Sequence, residues 1–139
     1  MAAPFQYRDE PSKAPILTDD LTQFMLWQES FRLRIERVNP NAVWTLIIND
    51  QIRNQRIAFL GLGAVQQYAD QELMWQWLHE AAKYSEKARP IISHAMANKG
   101  QPLFATNAWK AIVRRFNPAN AKNAAMQDAA MKRKINSFA

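Results

Sequence analysis

The chain has 139 residues, seven prolines, five tryptophans, no cysteine, and 18 Lys+Arg against 12 Asp+Glu. A chain this long suits one domain and can bury roughly 68% of its unfolded surface without covalent staples. The lack of cysteine excludes disulfide scaffolds, thiolate zinc sites, iron–sulfur clusters and thiol catalysis. No apolar run approaches the ~18 residues of a membrane span, and the first ten residues lack the basic start and apolar stretch of a signal peptide. A soluble, intracellular protein that does not touch a membrane is expected.

The formal charge of +6 is unevenly placed. Residues 1–86 carry 8 basic and 11 acidic side chains, a balance of −3; residues 87–139 carry 10 basic and one acidic, a balance of +9. A concentrated positive field attracts polyanions, nucleic acid above all, although a solvated basic face also keeps a protein soluble.

Residues 1–18, with prolines at 4, 11 and 15, read as an extended N-terminal arm. Phe5, Tyr7, Ile16 and Leu17 make it apolar enough to dock on another surface. Asp19 or Asp20 caps a first helix over 20–38, where Phe24, Trp27, Phe31, Ile35 and Val38 share one face. Asn39-Pro40-Asn41 ends it, and a second helix is expected over 42–56; Trp44–Ile48 alone also suits a short strand, with no partner strand in view. Gly61 and Gly63 punctuate the next segment, and a short helix reaches Ala69. Asp70 then caps a third long helix over 71–87, with Leu73, Trp77, Leu78 and Ala81 as its buried stripe. Arg89-Pro90 opens a fourth helix that stops at Gly100. A fifth spans 104–116, with Phe104, Ala108, Trp109, Ile112 and Val113 apolar. The alanine-rich stretch after Asn117-Pro118 is a strong helix former with a thin apolar face. The expected fold is all-α: a compact core of about five to six helices over 19–116, the arm before it and a basic C-terminal helix over 117–139.

Catalytic and metal-binding patterns are missing. His79-Glu80 is not followed by a second histidine at zinc-protease spacing, and Gly61-Leu62-Gly63 lacks the third glycine and the strand of a dinucleotide loop. No catalytic residue, metal site or cofactor is expected, and the chain is not read as an enzyme. His94 reads as a packing or polar-network residue, and the Trp and Phe stripes as core. Nucleic-acid contact falls to the basic segment. Lys110 and Arg114 are four residues apart on one helix face with Arg115 beside them, Arg89 sits at a helix start, and Lys122 extends the surface.

Three stretches resemble the coat proteins of flexible filamentous plant RNA viruses, the potyvirus and potexvirus type. Gln23-Phe24-Met25-Leu26-Trp27-Gln28-Glu29 is similar to the Q-F-x-x-W-x-E opening of the potyvirus coat core. Arg89-Pro90-Ile91-Ile92-Ser93-His94 resembles its R-x-I-[IM]-x-H stretch. The run from Pro118 to Ala130 resembles the P-x-x-A-[KR]-x-A-x-x-Q-x-x-A helix near the coat's C-terminus. The stretches stand in family order, in a chain much shorter than those coats, and Lys110 occupies the place of an acidic residue in the family pattern. The resemblance implies an all-α subunit that polymerises helically, binds single-stranded RNA in a groove with Arg89 as the groove arginine, and reaches a neighbouring subunit through its N-terminal arm. A virion and host-cytoplasm location follows from the same resemblance.

Composition and resemblance together lead to the expectation of a coat or nucleocapsid subunit. Arg89, Lys110, Arg114, Arg115 and Lys122 would neutralise phosphates, and Phe5, Tyr7, Ile16 and Leu17 would dock the arm on an identical neighbour. Two other classes stay open. A small helical DNA-binding regulator or phage packaging adaptor would read duplex sequence through helices in 91–116. A protein-binding module would show no affinity for nucleic acid.

Overall fold

A computed structural model describes residues 10–116. Most of the expected arm and the whole basic C-terminal segment therefore lie outside the described residues. Within them the fold is all-α, without strands. Five α-helices follow in order: α1 (Phe24–Val38), α2 (Asp50–Leu60), α3 (Ala64–Ala82), α4 (Arg89–Ala97) and α5 (Phe104–Phe116). Short 3-10 segments occupy Pro11–Lys13, Leu21–Gln23 and Pro40–Leu46.

The core forms where α1, α3 and α5 turn their apolar stripes toward one another. From α1 the buried set is Phe24, Trp27, Phe31, Ile35 and Val38, the face that the sequence spacing defines. Phe31 stacks on Trp109 of α5 at 5.5 Å between ring centroids, and Phe24 stacks on Phe116 at 5.4 Å. Trp27 bridges Phe31 and Trp109 at 5.0 and 5.7 Å. These separations match the offset contacts that aromatic rings prefer.

Two expected boundaries are corrected. The segment 42–56 is not one helix. Asn39 caps the 3-10 helix by accepting the Asn41 amide, extended backbone follows at Ile47, and Asn49 starts α2 by accepting the Ile52 amide at 3.0 Å. Asp70 is not a cap either. It lies inside α3, which runs unbroken through the place where two helices were expected to meet. Its carboxylate is buried and accepts Trp44 Nε1 at 2.8 Å, Gln66 Nε2 at 2.8 Å and Asn39 Nδ2 at 3.2 Å. An aspartate ahead of an apolar-periodic run resembles a cap in sequence; here it is the acceptor that holds the 3-10 helix onto α3.

The expected end of that helix also moves, from 87 to Ala82. Asp19 holds the turn that follows, accepting Ser85 Oγ at 2.6 Å and the amides of Glu86 and Lys87 at 3.1 and 3.3 Å. The Ser85 hydroxyl, then those amides, keep the Asp19 carboxyl below its ordinary value. A carboxyl with a lowered folded pKa contributes stability above its unfolded pKa and loses that contribution as pH falls through the folded value. The unfolding midpoint should therefore fall as pH drops below about 4. Asp19→Asn should flatten that fall in a urea titration at successive pH values; an unchanged pH profile would show that Asp19 contributes nothing to it.

Candidate nucleic-acid interface

α5 places its charge by amphipathic spacing. Phe104, Ala108, Trp109, Ile112, Val113 and Phe116 face the core, which leaves Arg114 and Arg115 exposed in the last turn. Cations at that end also complement the helix dipole. Phe116, fully buried against Phe24, fixes the backbone beneath both arginines.

α4 and α5 form a helical hairpin. One groove of about 280 Å³ is lined by Ile91, His94 and Asn98 from α4 and by Ala111, Asn107 and Phe104 from α5. Arg89 opens α4, and Arg114 and Arg115 close α5, 25 residues of sequence separating Arg89 from Arg114. All three are exposed, and none has an ion-pair partner among the described residues. Beside Arg89 lies a recess of about 160 Å³ lined by His79, Lys83, Arg89 and Ser93, with no carboxylate in its wall. Lys83 keeps one carboxylate nearby, Glu80 Oε2 at 3.1 Å.

Lys110 stands apart from this group. It lies on the flank of α5, and its ammonium meets Asp50 Oδ1 at 2.5 Å. The same oxygen accepts Arg53 Nη1 at 2.8 Å. The Lys110 hydrogen bond, then that of Arg53, lowers the Asp50 carboxyl below its ordinary value. To reach a phosphate, Lys110 must leave Asp50. Asp50→Asn should release Lys110 and steepen the salt dependence of single-strand binding by about 0.7 log units. It should also lower stability, because buried Arg53 loses its counter-charge. Salt titrations and urea unfolding of the variant read both effects, and an unchanged slope would show that Lys110 stays off the nucleic acid even when released.

The remaining expected site residues divide. Lys122, Phe5 and Tyr7 lie outside the described residues. Ile16 is 46% exposed, whereas Leu17 is 1% exposed in the core of its own chain, where its amide donates to the Ala81 carbonyl at 2.8 Å. His94 is exposed and pairs with Asn98 one turn on, Nδ2 to Nε2 at 3.1 Å. The sequence reading missed one feature near the hairpin: buried Gln71 of α3 accepts the amides of Ala105 and Thr106 at 2.7 and 2.9 Å and so caps α5. Only the distance in space, not the sequence, reveals such a cap.

Among the described residues no helix is long and apolar enough to cross a membrane, and no group of three His, Asp or Glu side chains is placed to hold a metal ion. No family model, curated protein or solved structure matches the chain.

Proposed function

We propose that this protein is a coat-type or nucleocapsid-type subunit that polymerises and binds single-stranded nucleic acid, RNA by preference, and has no catalytic role. The observation that carries the reading is three exposed arginines without an ion-pair partner among the described residues: Arg89 at the start of α4, beside a recess with no carboxylate in its wall, and Arg114 and Arg115 at the end of α5. Arginine holds phosphate oxygens through a planar fork of donors, so exposed arginines without carboxylate partners on two packed helices suit a passing phosphodiester backbone better than a small ligand. The burial of Phe104, Trp109 and Phe116 leaves no exposed aromatic on α5 for stacking bases, which suits contact with the backbone and little sequence preference. It also weighs against the DNA-regulator alternative, since Trp109 and Ile112 point inward on the helix that would have to read a groove.

Negative-stain microscopy and sedimentation of the full chain, with and without polyuridylate, test the reading. Length-dependent, sequence-tolerant binding with filament growth is expected. A monomer with no affinity for either single strands or duplex would overturn it in favour of a protein-binding module. Sequence-selective duplex binding without assembly would favour the regulator.

A further inference from the structure

α2 leaves Ile57 and Leu60 half-buried and turns two large apolar side chains to solvent. The residue it buries is Arg53, whereas Ile52 and Phe59 are 54% and 81% exposed. The chain then reverses at Gly61, whose φ of +65° ends the helix in the left-handed region, and the first turn of α3 presents Val65, 86% exposed. Phe59 and Val65, on either side of this reversal, therefore make an apolar tip that the described residues do not cover.

A groove lies at the other end of α3. Leu17 is pinned to the Ala81 carbonyl, and Pro15 accepts Trp27 Nε1 at 2.8 Å. Between this strap and α1 runs an apolar groove of about 250 Å³, with Trp27 in its lining and Ile16 and Leu26 as exposed lips. Val65 and Ala81 are 16 residues apart on one helix, about 24 Å along its axis.

We propose that the tip formed by Phe59 and Val65 seats in the Ile16–Leu26 groove of a second copy of this chain. Charge favours this occupant. Arg56 is the exposed cation beside Phe59, since Arg53 is buried and held by Asp50, and Asp20 is the one charged side chain lining the groove. Arg56 lies over the Phe59 ring, Cζ to centroid 5.9 Å, so it travels with the aromatic anchor. Thr22 occupies only Oδ1 of Asp20, which leaves Oδ2 without a partner among the described residues. Because tip and groove are different surfaces at opposite ends of one helix, the contact runs head to tail and adds subunits without closing into a symmetric pair. This inference rests on the polymerising-subunit reading and supplies its longitudinal contact.

Two exposed substitutions, Phe59→Asp in the tip and Leu26→Asp in the groove, test it on the full chain, with circular dichroism confirming the fold. In sedimentation velocity the unaltered chain should form a concentration-dependent series, and each variant should remain a monomer. Mixed in equal amounts, the variants should give a heterodimer and nothing larger, since each keeps one intact surface. Arg56→Asp should raise the critical concentration about tenfold, and Asp20→Arg in that background should restore it. Assembly by either single variant, or a mixture that stays monomeric, overturns the tip-in-groove contact. If the unaltered chain polymerises on polyuridylate while Phe59→Asp does so equally, the coat-type reading stands and this contact falls. If the unaltered chain never assembles, both fall.

Discussion

Trp109→Ala should lower the unfolding free energy by about 4 kcal/mol, the range for removing a large aromatic from a packed core. Trp109 is 2% exposed and touches both Trp27 and Phe31, so truncation opens a cavity at the junction of α1 and α5. Trp27 is itself packed on Phe24 and cannot collapse into it without losing that contact. The substitution also removes the indole donor to the Leu46 carbonyl at 3.1 Å, leaving a buried acceptor without its partner. Small domains have about 5–15 kcal/mol in total, so the variant should sit near its folding threshold at 25 °C. Urea unfolding followed by far-ultraviolet circular dichroism gives the number. Trp109→Phe separates the two causes: it keeps most of the ring volume and loses the donor, so it should cost about 1 kcal/mol. A loss for the alanine variant no larger than that for the phenylalanine variant would show that the cluster relaxes and that its stacking is not what holds α1 to α5.

The two helices joined by Trp109 are also those most legible in the sequence. α1 and α5 carry apolar residues at three- and four-residue steps and bury one side only, so their spacing identifies both helix and face. The stretch from Asn39 to Asp70 resisted reading for a physical reason. Its structure is decided by side-chain bonds across 26 to 31 residues, from Trp44 and Asn39 to Asp70, which no local period encodes. α2 carries no stripe that the core uses, since it buries an arginine and exposes a phenylalanine. Charge behaved in the same way. The excess of cations after residue 86 is plain in the sequence, but spacing alone grouped Lys110 with Arg114 and could not show that Asp50, 60 residues earlier, holds its ammonium.

The largest effect on nucleic-acid binding should come from Arg89, Arg114 and Arg115 together. Each phosphate contact to a single strand contributes about 0.7 to the slope of log K against log salt, because the cation displaces a condensed counterion. Arg89→Ala, Arg114→Ala and Arg115→Ala combined should therefore reduce the slope by about 2. The affinity loss should be greatest at low salt and should shrink as salt rises. The fold should be nearly unchanged, since all three side chains are exposed and have no acidic partner among the described residues to leave behind. Fluorescence polarisation with labelled polyuridylate across a salt series gives the slope, and urea unfolding gives the control. Lys99→Ala is the matched comparison. Lys99 is exposed and basic too, but it is engaged by Glu72 Oε1 at 3.1 Å, and Glu72 raises its pKa above the ordinary value. It should leave the slope unaltered. If Lys99→Ala flattens the slope as much per cation as the arginines do, binding follows net charge alone and Arg89, Arg114 and Arg115 are not a site. If the triple variant loses slope and Lys99→Ala does not, the phosphates run past Arg89, Arg114 and Arg115, exposed cations that no carboxylate among the described residues engages.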